Sequence, residues 1–440
     1  MHRTESWLLT LGPLALSLAA FAATAQETPE DADREELLRR IDELEQRVND
    51  LESTAVMSEP ETRVRRIEVW VDENGVEYDE PRPGTRSVVT YQRERAFRRQ
   101  TINEKIEEAL DDAASRSVAV GVDAAIVLQN VQQTGGPDTD ADGNNYELAS
   151  ADLYFTAGLA QNTIFYADIV GLSGTPPDNE VGGLTLLNGY AARLVRQNEL
   201  NLREAWLMTE VFDQRLQLTA GRVDLTNYFD HNAVANDETT QFLSDALVNN
   251  PMLGLSENGA GLAAVYDPKS GFTAKLGYQQ SSSAALNLSD SLFYLAEVGK
   301  LFTPFHLGEG NYRAWYRTDN SSGSNQKAFG ISVDQKVTAA LTLFGRFGSA
   351  QTDGPRDKFS SVGFRFANGV TFNPEDAWGV GLARTELGAG DEESLVEGYY
   401  NLRMTQKLEL SFHLTRVTEE PLGAEQVSYL VPGVRLQASF

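Results

Sequence analysis

From about Ser117 to Phe440 the chain alternates apolar and polar residues, and after residue 25 it contains no run of about twenty apolar residues. Leu408, Leu410, Phe412 and Leu414 are interleaved with Glu409, Ser411, His413 and Thr415. Tyr312, Ala314 and Tyr316 alternate with Arg313, Trp315 and Arg317. The last segment sets Leu430, Pro432, Val434, Leu436, Ala438 and Phe440 against Gly433, Arg435, Gln437 and Ser439. A period of two puts successive side chains on opposite faces of a strand. Either the apolar face is a soluble sandwich core, or it faces lipid around a wet lumen. Periodicity alone leaves both open.

Connection lengths favour the barrel. About sixteen strands can be counted, and short connections at Ala160-Gln161-Asn162, Phe212-Asp213-Gln214, Pro268-Lys269-Ser270 and Thr405-Gln406-Lys407 alternate with long ones near 132–145, 171–198 and 223–258. Two on the short side, near 301–309 and 367–376, exceed the rule. Short turns on one rim, long loops on the other and an even strand number form the outer-membrane pattern. The expected fold is all-β: a transmembrane antiparallel barrel of about 16 strands over 117–440, closed by a strand ending in Phe440. Such a final strand resembles the signal read by the machinery that inserts these barrels.

The segments ahead of the barrel fit export. Arg3, the apolar stretch Trp7 to Ala23 and Ala23-Thr24-Ala25 predict a removed secretory peptide over 1–25, with no cysteine after it for a lipid anchor. Over 26–53, Leu37, Ile41, Leu44, Val48 and Leu51 repeat at steps of four and three, the seam of a short coiled-coil stalk. An amphipathic helix packed on its own chain is the alternative. Ile41 and Val48 lean towards a dimer, but so short a seam should yield to the barrel's own assembly. Residues 54–116 read as an α+β connector in the periplasm, with a hairpin at Glu73-Asn74-Gly75 and a helix from Asn103 to Ala114. Zero cysteines exclude disulfides and thiolate metal sites, and a net charge of −27 argues against nucleic acid.

The longest loop is the most specific stretch. It runs from Ala220-Gly221-Arg222-Val223-Asp224-Leu225-Thr226-Asn227-Tyr228-Phe229-Asp230 through Asn232-Ala233 and Asn236 to Phe242, then to Ala246 to Pro251. With Gly261 to Tyr266 opening the next strand, it closely resembles the carbohydrate-selective porin family (OprB-like). That resemblance implies a pore for sugars or similar small polar solutes in the outer membrane of a Gram-negative-type bacterium, expected to be a homotrimer with its stalk in the periplasm. Folded inward, the loop would place Arg222, Asp224, Tyr228, Phe229 and Asn232 in the solute path, since sugars have apolar ring faces and hydroxyl edges. Alternatively, Arg222 and Asp224 pair to fix the loop's exit from its strand.

Further candidates lie on the polar faces of strands: Asp168, Arg313, Trp315, Arg317, Glu397, Arg403, Glu409 and Arg435. The alternation around Glu204 cannot be phased. Asp138, Asp140 and Asp142 match the first half of a calcium loop, but Ala149 holds the twelfth position, leaving a loosely held calcium or a solvated acidic loop. No other cofactor is expected, and no catalytic motif argues for an enzyme. Two further readings remain: a general or ion-preferring pore on the same barrel, and a tether between outer membrane and cell wall through the stalk.

Overall fold

The structure, a computed structural model, describes residues 120–440 apart from 161, 213, 283–290, 306, 321–323, 353, 368–374 and 406, together with the backbone of 62–71, 77–78, 86–95 and 118–119. The expected signal peptide, the coiled coil over 26–53 and the helix over 103–114 lie outside the described residues. In the connector, β1 (Thr62–Val71), β2 (Glu77–Tyr78) and β3 (Arg86–Arg95) form a small sheet in the order β2-β1-β3. Trp70 pairs with Tyr78 and Val71 with Glu77, and the turn expected at Glu73-Asn74-Gly75 lies outside the described residues.

The remaining strands close on themselves. They begin with β4 (Val118–Asn130), β5 (Gln132–Gly135), β6 (Asn145–Ala160), β7 (Thr163–Thr175), β8 (Leu200–Val211) and β9 (Leu216–Val223). Then come β10 (Gly259–Tyr266), β11 (Phe272–Gln280), β12 (Leu292–Phe302), β13 (Gly310–Asp319), β14 (Gln326–Lys336) and β15 (Leu341–Gln351). The series ends with β16 (Asp357–Phe366), β17 (Ala377–Glu386), β18 (Glu392–Thr405), β19 (Leu408–Glu420) and β20 (Val427–Ser439). β4 and β5 both pair with β20 and form one strand interrupted at Val131, so seventeen segments make sixteen antiparallel barrel strands. Closure runs to the last residue. Beyond Ser439, the Phe440 N–H donates to Val122 O (2.9 Å) and the Val122 N–H to Phe440 O (3.1 Å).

Exposure separates the sandwich from the barrel. On β19, Phe412 and Leu414 are 50% and 52% exposed, whereas Ser411 and Thr415 are 1% and 2% exposed. Apolar residues face out and polar residues face in, the inverse of a soluble core. At the short-turn rim the outer face carries exposed Phe212, Tyr266, Phe272, Phe302 and Phe440, a partial aromatic girdle. The alternation of loop lengths is clear only in the first half of the chain. There the long connections span 136–144, 176–199 and 224–258, while those at 352–356 and 387–391 on the same rim are short.

Candidate functional site: the barrel lumen

The loop over 224–258 folds into the barrel. Its turns are set locally by side chains that accept backbone N–H groups. Asp224 Oδ1 accepts from the N–H of Thr226 (3.1 Å), Asp237 Oδ1 from Thr239 (2.9 Å) and Asn250 Oδ1 from Met252 (3.2 Å). Much of the loop's Asn and Asp content is therefore turn chemistry. The wall has space for the loop where inward positions are glycine: a Cβ on Gly277 would lie 2.7 Å from Phe229 Cε2, and one on Gly381 2.8 Å from Leu247 Cδ2.

Polar residues of the wall then fasten the loop. Trp315 Nε1 donates to Asp230 Oδ1 (2.7 Å), Arg313 Nη1 to His231 O (2.8 Å) and Arg317 Nε to Met252 O (2.9 Å). Arg346 Nε lies 2.8 Å from Asp230 Oδ2, and Glu297 accepts the Asp230 N–H at 2.7 Å. Across the lumen, Glu397 accepts the N–H groups of Leu243 (2.7 Å) and Ser244 (2.8 Å), and Arg435 Nη1 donates to Gln241 O (3.2 Å). Hydrogen bonds to charged groups contribute about 1.5–3 kcal/mol each, so this set outweighs the ordering cost of the residues it touches.

A second loop, 176–199, packs inward beside it. Asn188 Nδ2 donates to Gln129 Oε1 (2.9 Å), Tyr190 OH to Gln437 Oε1 (2.8 Å), and Arg193 reaches Asp152 and Glu238, each at 2.6 Å. The loops join where the Gly189 N–H donates to Leu243 O (2.7 Å) and the Asp245 N–H to Leu186 O (2.9 Å). Burial pushes the Asp178 carboxyl up to about 7 and those of Asp230 and Asp245 to about 6. For Asp230, desolvation outweighs the opposing pull of Arg346.

The structure redistributes the sequence candidates. Arg222 sits opposite Ala205 and Ala260 on the outer face and is exposed, its Nε donating to Leu202 O (2.9 Å); it does not line the lumen. Nor does it pair with Asp224, whose cation is Arg203 at 3.3 Å. The reason is a bulge: Asp168 pairs with Glu204 and Ile169 with Leu202, skipping Arg203. Two consecutive charged residues thereby turn inward, which is why the alternation around Glu204 has no phase. Tyr228, Phe229 and Asn232 are at most 1% exposed, so they pack the loop rather than face open water. Asp168 lies 3.8 Å from Arg203, Arg403 lies 3.6 Å from Glu375, and Glu409 accepts a bond from Asn401 (2.7 Å). Asp138, Asp140 and Asp142 are exposed, with Asp142 Oδ1 occupied by the Gln133 N–H, and no three metal-ligating side chains converge among the described residues.

The two sides of the lumen differ. Ile164, Tyr166, Trp206, Phe293 and Leu295 on β7–β12 pack with the loop residues Leu225, Tyr228 and Phe229, and Phe359, Leu395, Tyr399 and Val417 on β16–β20 belong to the same buried cluster. Buried polar atoms without a hydrogen-bond partner are more numerous on β16–β20, where they include Ser361 Oγ, Arg365 Nε and Nη1 and Arg435 Nη2, but the other side has them too, as at Arg203 Nε. The sequence reading passed over Arg365, although Ser361, Gly363 and Arg365 alternate with Val362, Phe364 and Phe366. It also passed over Lys275, Glu297 and Arg346, which fasten the loop.

Comparison with known proteins agrees with this geometry. Residues 138–310 match the carbohydrate-selective porin, OprB family. An uncharacterized protein of Aquifex aeolicus is 29% identical over 170 residues, 39% of this chain and 45% of that protein. Porin AaxA of Chlamydia trachomatis is 27% identical over 208 residues, 42% of this chain and 44% of the porin. The chain thus spans under half the length of these curated relatives. In fold, OprB of Pseudomonas putida in its high-pH structure superposes with a TM-score of 0.62 at 16% identity, covering 75% of this chain and 96% of that one. The likeness to OprB thus rests on both a sequence segment and the barrel as a whole.

Proposed function

We propose that the protein is a passive outer-membrane channel for carbohydrates or similar small polar solutes, its two inward loops narrowing an otherwise wide lumen. The observation that carries this reading is the inverted barrel, apolar outside and polar inside, with two loops folded into its lumen. Buried polar atoms without a protein partner concentrate on β16–β20, the side this reading assigns to water and solute. Sixteen strands enclose a channel wide enough to need such narrowing. The sequence match over 138–310 supports carbohydrate as the solute class.

The long-loop rim faces the exterior and the connector the periplasm in this reading. A trimer, a stalk and any contact with the cell wall belong to it as expectations. Purified protein in planar bilayers tests it: stepwise ion conductance that sugars reduce is expected. A barrel that inserts yet passes neither ions nor sugars refutes the channel, and ion current that no sugar blocks refutes the carbohydrate assignment.

A further inference from the structure

Buried arginines in this lumen follow a rule with two exceptions. Arg193, Arg203, Arg313, Arg317, Arg346 and Arg403 each have a carboxylate oxygen within 3.6 Å. Among the described residues no ion pair engages Arg365 or Arg435, although they are only 5% and 1% exposed. A guanidinium withdrawn from water without a counter-charge costs several kcal/mol, so such a group needs water or an anion beside it. Arg435 spends Nη1 on the loop carbonyls of Glu238 and Gln241, leaving Nη2 without a partner. Arg365 leaves both Nε and Nη1 without one.

The two exceptions lie on either side of one phenol, that of Tyr399. Arg365 pairs across the sheet with Gly379, Gly379 with Tyr399, Tyr399 with His413, and His413 with Gly433, two residues before Arg435. The glycine at 379 matters. A Cβ there would lie 2.7 Å from Tyr399 Cε1, so the phenol occupies the space over β17 and extends towards Arg365. Arg365 hydrogen-bonds that phenol, and both guanidiniums act on it electrostatically. The nearest acid along this wall, Glu397, is already committed to the loop N–H groups and to His413 Nδ1 (2.8 Å). Phe242 of the loop packs edge-on against Tyr399, with ring centroids 4.8 Å apart, and roofs the site.

We propose that Arg365 and Arg435, with the Tyr399 hydroxyl, form an oxyanion subsite, so that the channel favours solutes bearing a carboxylate or phosphate over neutral sugars. The proposal rests on the channel reading above and narrows its solute class. Arg365 offers free donors at Nε and Nη1, on different edges of its guanidinium, and Arg435 one at Nη2, so each arginine can give an oxyanion a charge-assisted bond, and the phenol can donate a further one. The chain's net charge of −27 would by itself draw in cations, so the preference must be local.

The test is reversal potential in a potassium chloride gradient across planar bilayers, with current block by gluconate, glucose 6-phosphate and glucose. The expected results are a chloride preference and stronger block by either oxyanion than by glucose, the order of the two naming the favoured group. Arg365→Gln should weaken oxyanion block by about tenfold, as loss of a charge-assisted pair implies, and leave glucose block unchanged. Arg365→Lys restores the charge and should recover part of the block, and Arg384→Gln on the outer face should behave as the parent. Heat-modifiable migration on gels confirms that each variant is folded. A conducting channel that prefers potassium, or whose gluconate block survives Arg365→Gln, overturns the subsite while leaving the channel reading intact. A folded barrel with no conductance overturns both.

Discussion

The two sides of the lumen are built from the same alternating strands, yet β7–β12 lean towards apolar inward residues and β16–β20 towards polar ones. On β7–β12 the inward positions include Ile164, Trp206, Phe293 and Leu295, which with Phe229 from the loop exclude water. On β16–β20 the inward positions include Ser361, Arg365, Asn401, Ser411 and Arg435, and several of their polar atoms have no protein partner. An inward apolar residue in a barrel this wide is stable only if something covers it, because the lumen would otherwise wet it. The loop over 224–258 is that cover. One side thus explains why the loop folds in, and the other is the proposed solute path.

Removing the cover is the largest perturbation. Replacing 228–252 with a short Gly-Ser linker should raise single-channel conductance by about threefold, since a 16-strand barrel otherwise keeps a wide aqueous lumen. An unchanged conductance would erase the difference between the two sides. Next is the buried pair of Arg346 and Asp230. Arg346→Met leaves an unpaired carboxylate and should cost about 3–5 kcal/mol in loop docking, read as frequent current fluctuations. Adding Asp230→Asn should quieten the trace, and failure to do so would show that the pair is not the fastener.

Acidity should act on the same docking. The carboxyl of Asp178 titrates near 7 and those of Asp230 and Asp245 near 6 when buried, against an ordinary value of 3.8. A raised carboxyl favours the docked state while both states are protonated and progressively opposes it as pH climbs from about 4 to about 7. Current fluctuations should therefore be rarest near pH 4 and increase up to pH 7. The reverse trend would mean that these carboxyls are already ionised in the docked loop. The smallest effect belongs to Arg222. Arg222→Ala should leave conductance and sugar block within error of the parent, because this side chain is outside the barrel.

Legibility followed periodicity. Strands β13, β19 and β20 were readable because inward and outward residues differ in polarity at a strict period of two, and closure through Phe440 continues the same register. Arg222 faces outward because it lies one residue before the end of β9 and still follows the strand's alternation, with Val223 inward, rather than belonging to the loop. Arg203 and Glu204 were unreadable because a bulge breaks the period between them and their partner strand. The loop's polar residues suggested sugar chemistry, but composition does not distinguish an Asp that binds solute from one that caps a turn, as Asp224 and Asp237 do. Arg313, Trp315, Arg317, Glu397 and Arg435 were placed on the right face. Their partners, the backbone carbonyls and N–H groups of a loop far away in sequence, become visible only when the loop's path is known.

The contrast between the two sides can be tested within one molecule, because the chain has no cysteine. Single cysteines at Ser361 on β16 and Thr219 on β9, both inward and at most 5% exposed, are challenged with a small charged methanethiosulfonate during single-channel recording. The expected result is a stepwise change in current at Ser361→Cys and none at Thr219→Cys. A change at Thr219→Cys with none at Ser361→Cys would place the path on the other side and contradict the division of the lumen.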